Sequence, residues 1–432
     1  MQTLHKKIEG KSTRIGIVGL GYVGLPLALA FAEASLHVLG FDVQQNKVDS
    51  VNQGKSYIAD ISDDQIAIAL TSKHLEATTD QSRLKEVDAI FICVPTPLTK
   101  TKNPDLSYVI HEAEIIAKNL KPGQLVVLES TTYPGTTREI VLAILERSGL
   151  KVGIDFYLAF SPERVDPGSV KYGIKNTPKL VGGIDPQSTE LAKLLYSQAI
   201  DTVVSVSCPE VAEMTKIFEN VFRSVNIALV NELTMLCEKM GISVWEVIDA
   251  ASTKPFGYTA FYPGPGIGGH CIPLDPYYLS NKAREYDFHT RFIELAADIN
   301  EQMPYYVISR IFDMLSVYGK SLSGAKVLIL GIAYKKNVGD MRESPSLKII
   351  QILRQKQTNV SYNDPYIDAI QLGDETLKST ELTDECLSSA DCVVIATDHS
   401  CFDYQNIADK ATLVFDTRGV MRKIKSNSII HL

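Results

Sequence analysis

The segment Tyr262-Pro263-Gly264-Pro265-Gly266-Ile267-Gly268-Gly269-His270-Cys271-Ile272-Pro273-Leu274-Asp275-Pro276 sets one thiol four residues before one carboxylate, within a run of glycine and proline. Glycine opens backbone conformations that other residues avoid and proline closes them, so the loop is expected to be both unusual and fixed. The pair Gly268-Gly269 is expected to leave room for a ligand to lie against bare backbone. Cys271 can serve as a thiolate nucleophile, with Asp275 handling a water or a proton in the same pocket. A buried cysteine in a turn is the structural alternative. Lys216 and Asn220 lie one helical turn apart on one face. A lysine on an otherwise apolar helix, aimed at a sheet edge, can steady an oxyanion or a water.

These groups need elements to position them, and the N-terminal half supplies a parallel sheet. Residues 14–18 read as a buried strand, followed at once by Gly19-Leu20-Gly21-Tyr22-Val23-Gly24 and a helical run over 25–34. Strand, GxGxxG and helix in that order form a dinucleotide site. The first glycine turns the chain, the second admits the pyrophosphate, and the third lets helix pack on strand. The phosphates then face the positive end of the helix. A second strand over 37–41 ends in Asp42, whose carboxylate accepts from ribose hydroxyls and repels a 2′-phosphate; the cofactor is therefore NAD rather than NADP. Strands over 88–93 and 125–128 run into loops carrying Thr96, Thr131 and Thr132, at the strand ends where open parallel sheets bind ligands. The alternative for these threonines is turn chemistry. Glu163 follows the apolar run 157–160 and reads as a general base or a solvated loop acid.

A helix is expected from Pro209 to a stop at Gly241, about 32 residues or roughly 48 Å at helical rise. Met214, Ile217, Phe218, Val221, Phe222, Val225, Leu229 and Leu233 cover more than one of its faces, which suggests a subunit interface as well as a core. Ser243 with Glu246 forms a capping box for a shorter helix. The C-terminal part repeats the strand order of the first: 325–331, 360–364, 391–397 and 412–418. It keeps only Gly331 of the glycine trio and sets Lys335, Lys336, Arg342 and Arg418 at strand ends. Cations in place of backbone amides suit the phosphates of a nucleoside diphosphate, not a second NAD.

Composition narrows the class. A chain of 432 residues implies two or three domains. No apolar run is long enough to span a bilayer, and the N-terminus lacks the apolar core of a signal peptide, so the expected location is the cytoplasm with no membrane partner. The seven cysteines are scattered without a CxxC pair, which predicts neither disulfides nor a metal site. A formal charge of −8 argues against nucleic acid as partner.

Taken together, residues 19–24, Lys216 with Asn220, Gly268-Gly269-His270-Cys271 with Asp275, and residues 331–344 resemble the UDP-glucose/GDP-mannose dehydrogenase family over nearly the whole chain. The resemblance implies an α/β chain of two Rossmann-like parallel-sheet domains joined by a long central helix and a small helical middle domain. The divisions are 1–207 for NAD, 208–320 for the cysteine loop and dimerisation, and 321–432 for the UDP-sugar. It implies oxidation of the C6 hydroxyl to a carboxylate with two NAD per turnover, through a thiohemiacetal and a thioester on Cys271. Gly-Gly-His-Cys looks like the branch acting on UDP-N-acetylhexosamines, and residues 130–136, 162–168 and 271–279 look most like its UDP-N-acetylglucosamine members, which make surface polysaccharide precursors. The galacto and manno epimers and UDP-glucose are the alternatives. One departure stands out: Pro167 occupies the place of a second glutamate in the UDP-glucose branch, with Asp166 one residue earlier.

By the same resemblance Lys216 and Asn220 serve the oxyanion and the water, and Thr132, Asp275 and Glu163 complete the catalytic set. Gly19, Gly21, Tyr22, Val23, Gly24, Asp42, Lys47, Val94, Thr96, Thr131 and Arg342 hold NAD. Glu163, Arg164, Lys216, Asn220, Tyr262, Gly268, His270, Lys335 and Arg418 meet substrate. The subunits are expected to pair as a homodimer through the long helix. Two other classes compete: a two-electron hydroxyacid dehydrogenase, which has no use for Cys271, and an NAD-binding sensor without catalysis.

Overall fold

The computed structural model describes residues 2–58, 60–99, 101–165, 171–269 and 272–432. Among these, strand β1 (Arg14–Val18) lies between β2 (His37–Phe41) and β4 (Ala89–Ile92), with β3 (Leu75–Thr78) outside β2. On the other side follow β5 (Leu125–Leu128), β6 (Tyr157–Phe160), β7 (Lys179–Gly183) and β8 (Val203–Ser205), giving the order β3-β2-β1-β4-β5-β6-β7-β8. The ladder is parallel except at β6–β7, which is antiparallel. Apolar residues cover both faces. Ile15, Ile17, Phe91 and Val127 pack into one core, and Val18, Ile90, Ile92, Val126 and Leu128 into the other. A parallel sheet buried on both sides requires such near-continuous apolar strands.

A second sheet in the C-terminal part has β9 (Lys326–Leu330), β10 (Asn359–Asn363), β13 (Cys392–Ile395), β14 (Val414–Asp416) and β15 (Ile429–His431) in the parallel order β10-β9-β13-β14-β15. A hairpin of β11 (Ala369–Leu372) and β12 (Glu375–Lys378) stands apart from it. The repeat of strand order expected from the sequence is thus present as a second nucleotide-binding topology.

The long helix runs Pro209–Met240, stopped by Gly241 at φ +68. Ile217 and Val221 are buried, whereas Met214, Phe218, Phe222, Leu229, Leu236 and Met240 are exposed. The next helix, Val244–Ala251, is capped by Ser243 accepting from the Glu246 backbone N–H, which is half of the expected capping box.

By backbone proximity the chain divides into two compact units, Met1–Glu219 with Tyr277–Phe288, and Asn220–Pro276 with His289–Leu432. Segment 208–320 is therefore shared between them. Its own apolar cluster is small, built on Val230, Cys237, Val244, Trp245 and Ile248, while Met303, Val307 and Ile311 join the core under β9. No helix among the described residues is long and apolar enough to cross a membrane.

Candidate active site

In the first unit the turn after β1 is built for a phosphate. Gly19 has φ +94, and a Cβ there would come within 2.6 Å of the Cys93 carbonyl oxygen. A Cβ on Gly24 would meet the Gly19 oxygen at 1.9 Å, so helix and turn touch only because Gly24 lacks a side chain. A Cβ on Gly21 would meet nothing within 4 Å, which leaves that backbone open to a ligand. The helix Gly24–Glu33 has no side-chain cap and no acid in its first turn, so its N–H groups await an anion. Asp42 is set by the N–H groups of Leu20 (3.0 Å) and Gln44 (2.9 Å), and Lys47 Nζ lies 3.5 Å from its carboxylate. These residues fit NAD: open glycine for the pyrophosphate, fixed carboxylate for the ribose. Tyr22 is half exposed and Val23 packs partly against the core.

The loops after β4 and β5 are tied to each other. Thr96 Oγ1 donates to the Thr131 carbonyl at 2.7 Å, Ser130 Oγ to the Val94 carbonyl at 2.8 Å, and the Tyr278 hydroxyl to the Thr96 carbonyl. Thr132 is buried, and its hydroxyl has no hydrogen-bond partner among the described residues. An orphaned buried hydroxyl at a strand end is a group that a substrate or water would complete.

Behind these loops lies a cluster the sequence reading missed. Lys179, the first residue of β7, reaches Glu129 Oε2 at 2.7 Å and Glu163 Oε2 at 3.3 Å, and the Tyr196 hydroxyl donates to Glu129. The side chain of Lys179 is 4 % exposed and that of Glu129 not at all. Glu163 Oε1 accepts from the backbone N–H groups of Arg164 (2.7 Å) and Val165 (2.6 Å). Burial pushes Glu163 up, but Lys179, the two amides and Lys216 outweigh it, and the carboxyl is held below its ordinary value. Burial would pull the Lys179 ammonium down, yet the two carboxylates keep it above the usual lysine range. A signal was available: a lysine and a glutamate bounding apolar strands of one buried sheet cannot both be solvated, so each needs the other.

Arg164 was expected to meet substrate. Its guanidinium is instead occupied by Glu219 (2.6 and 3.3 Å) and the Pro178 carbonyl (2.7 Å), which makes it a clamp between the Glu163 loop and the long helix. Glu213, a further missed residue, is buried on that helix. It accepts from the Gly135 and Thr137 N–H groups and the Thr137 hydroxyl at 2.6, 2.9 and 2.7 Å. It thereby fastens the helix to the turn that follows Thr132. Lys216, one turn on, is 9 % exposed.

In the second unit Asn220 donates to Asp275 Oδ2 at 2.5 Å, with both residues buried. The structure thus brings together two residues singled out 55 positions apart in sequence. Asp275 begins the helix Asp275–Arg284, where a carboxylate is favoured by the helix dipole. Cys271 and His270, and also Asp166, lie outside the described residues.

The glycines of this loop serve protein packing. A Cβ on Gly268 would lie 2.7 Å from Tyr334 Cβ and 2.9 Å from the Glu343 oxygen, and one on Gly269 2.9 Å from the Tyr334 ring. The space expected for a ligand at Gly268 is therefore taken by Tyr334, because residues 334–343 close over the glycine pair. Gly264 gives way to Arg418, whose Nη1 would be 2.8 Å from an added Cβ. Tyr262 stacks on Trp245 (centroids 5.9 Å apart), and its hydroxyl donates to Asp249, so its expected substrate contact is replaced by protein partners.

Lys335 and Arg418 follow the carboxyl ends of the second sheet, as expected. Arg418 Nε donates to the Ala396 carbonyl at 2.7 Å. Arg342, expected at NAD, has its guanidinium bound by Asp340 at 2.6–3.1 Å. Asp364 stands where Asp42 does in the first sheet, accepting from the Ile332 and Ala333 N–H groups at 2.6 and 2.9 Å. Here buried His399 Nε2 closes on it at 3.1 Å while His399 Nδ1 accepts from the Asn337 N–H. With its carboxylate so engaged, the second sheet lacks the ribose acceptor of a dinucleotide site. Among the described residues no group of three or more His, Cys, Asp or Glu side chains could hold a metal.

Comparison with known proteins covers all of these parts. Residues 13–200, 210–302 and 328–423 match the NAD binding, central and UDP binding domains of the UDP-glucose/GDP-mannose dehydrogenase family. The chain is 35 % identical over 421 residues to a UDP-N-acetyl-D-mannosamine dehydrogenase of Methanococcus maripaludis, covering 94 % of this chain and 93 % of that one. It is 36 % identical over 361 residues to a UDP-N-acetyl-D-glucosamine 6-dehydrogenase of Pseudomonas aeruginosa, covering 83 % and 84 %. A solved UDP-D-ManNAc dehydrogenase from Pyrococcus horikoshii superposes with a TM-score of 0.88 at 34 % identity, over 97 % of this chain and 98 % of that one.

Proposed function

Because this chain belongs to the UDP-glucose/GDP-mannose dehydrogenase family and is an NAD-dependent UDP-sugar dehydrogenase, we infer that it oxidises C6 of UDP-N-acetylglucosamine from alcohol to carboxylate. The choice of a UDP-N-acetylhexosamine rests on the relatives, which include enzymes named for N-acetylmannosamine and for N-acetylglucosamine. The gluco epimer rests on the likeness of residues 130–136, 162–168 and 271–279 to that branch.

NAD supplies the hydride acceptor, one molecule for each of the two oxidations. Glu163, held ionised by Lys179, takes the C6 hydroxyl proton as the carbon is oxidised to an aldehyde. An aldehyde has no second hydride to give until a nucleophile adds. Cys271 supplies it: the C–S bond forms as the C=O π bond opens, the thiol proton ends on that oxygen, and the resulting thiohemiacetal can lose its C6 hydride and the hydroxyl proton to become a thioester. Lys216 and Asn220 steady the oxygen that carries charge in these steps. Asp275, oriented by the Asn220 amide, takes a proton from water as the water attacks the thioester. The C–S bond then breaks, and thiol and carboxylate are released. Lys335 and Arg418 bind the diphosphate half of the substrate.

The observation that carries this reading is the buried 2.5 Å bond between Asn220 and Asp275, a built carboxylate–amide pair four residues from the only cysteine of the loop. One exposed apolar face of the long helix suits a second copy of the chain. Met214, Phe218, Phe222, Leu229, Leu236 and Met240 fall within an arc of about 80° at helical periodicity. We assign that exposed stripe to a homodimer.

The test is a panel of UDP-N-acetylglucosamine, its galacto and manno epimers and UDP-glucose, with NADH counted per sugar consumed. Two NADH and a preference for the gluco epimer are expected. One NADH per sugar would refute the thioester route, and a preference for another sugar would refute the substrate assignment.

A further inference from the structure

We propose that Lys179, backed by Glu129 and Tyr196, is the positioning residue that fixes the Glu163 carboxylate for proton abstraction. The inference rests on the reading of Glu163 as the base. Its starting point is direction. The antiparallel pairing of β6 and β7 sets Phe160 opposite Gly182 and Ala159 opposite Gly183. Continued three residues past the end of β6, that register would bring Glu163 level with Lys179, and their side chains do meet at 3.3 Å. A parallel β7 would have carried its first residue to the opposite edge of the sheet, remote from the carboxyl ends where the site lies.

The cluster holds two carboxylates and one ammonium, with Lys179 and Glu129 buried and Glu163 half-buried, so the sharing decides how each behaves. Lys179 sits nearer Glu129 (2.7 Å) than Glu163 (3.3 Å), and Glu129 is held in turn by Tyr196. Glu129 therefore absorbs most of the ammonium's charge. The share that reaches Glu163, with two backbone amides and Lys216, holds its carboxyl below the ordinary value, while burial pushes Glu129 up. The two backbone amides on Oε1 fix the other oxygen, so Oε2 is the one left to share between Lys179 and a substrate proton. Among the described residues, the other ionisable groups around it are Lys216 on the long helix, the buried Cys93 thiol after β4, and the Arg164–Glu219 pair.

This arrangement predicts opposite shifts from two neighbours. Lys179→Met removes the ammonium that Glu129 and Glu163 share and leaves Lys216 as the cation near Glu163, so the acid limb of kcat/KM moves up by about one pH unit or more, with activity recovering at alkaline pH. Glu129→Gln keeps shape but frees Lys179 to pull on Glu163, so the limb moves down and the plateau falls as the base weakens. Lys179→Arg restores most of the wild-type profile. A residue that only braces the fold would lower stability and rate without moving the limb in either direction. Should Lys179→Met fail to fold, the near-isosteric Glu129→Gln and the Lys179→Arg variants still decide the matter. Profiles of Glu129→Gln and Lys179→Met that overlay wild type would overturn the inference. Glu163→Gln separates it from the underlying reading: retention of full activity there would remove Glu163 from the chemistry, whatever Lys179 does.

Discussion

Replacing Asn220 by alanine removes the donor that meets Asp275 Oδ2 at 2.5 Å, between two residues that are 6 % and 2 % exposed. A hydrogen bond to a charged, buried acceptor contributes about 1.5–3 kcal/mol, because the carboxylate cannot recover the lost donor from bulk water. With about 2 kcal/mol as a middle value, and if the bond serves mainly to aim Asp275 at a water, the loss appears as about a 30-fold fall in kcat, at 1.36 kcal/mol per tenfold. Because Asn220 is read as acting on the reacting oxygen and, through Asp275, on the water, the loss should fall on kcat, and KM for the UDP-sugar should move less than threefold. The assay is steady-state NADH formation with kcat and KM resolved, alongside thermal melting to separate orientation from unfolding. A double-mutant cycle with Asp275→Asn adds the sharper test: once Asp275→Asn has removed the carboxylate that Asn220 orients, Asn220→Ala should cost little more. A kcat for Asn220→Ala within twofold of wild type, or strictly additive effects in the cycle, would refute the idea that this pair acts as a unit.

Three other outcomes follow from the geometry. Leu229→Glu, at the middle of the exposed stripe on the long helix, should convert the proposed homodimer to monomer in analytical ultracentrifugation; an unchanged sedimentation coefficient would count against the helix as interface. Burial pushes the Glu213 carboxyl up to about 7 although three donors pull it down; its folded value is above the unfolded one, so the stability it lends is complete below about pH 4.5 and lost as pH rises through 7, about 3 kcal/mol in all. The gap in melting temperature between wild type and Glu213→Gln should therefore change across that window, and a gap independent of pH would contradict the assignment. Gly268→Ala should cost about 1–3 kcal/mol by pressing on Tyr334 and the Glu343 carbonyl, read as a lower melting temperature with no ligand present, and an alanine variant as stable as wild type would show that the loop has room to spare.

Local pattern was enough for most of the architecture. The Gly19–Gly24 turn, the carboxylate of Asp42, the 32-residue helix and the repeated strand order of the C-terminal part all depend on spacing along the chain. Backbone geometry couples residues a few positions apart in one way only. The pairing of Lys216 and Asn220 on one helix face was legible for the same reason. Burial was not: the helix pattern names apolar positions, but only packing shows that Ile217 and Val221 face the core while Phe218 and Phe222 face out.

What the fold alone decided are contacts whose partners lie far apart in sequence and whose residue types are ambiguous. Arg164 looked like a substrate ligand until Glu219 took its guanidinium, and Gly268 like a bare platform until Tyr334 filled it. Asp364 repeats the place of Asp42, yet His399, a residue with no strand pattern to announce it, occupies its carboxylate. Lys179 is the clearest case. Its character as a neighbour of Glu163 depends on β7 running against β6, and strand direction is set by how the whole sheet closes its core, not by the five residues of the strand. Chain-local spacing fixes which chemical groups stand at a turn or on a helix face. Which charges share a dry pocket is fixed by strand direction and register, and so by the tertiary structure.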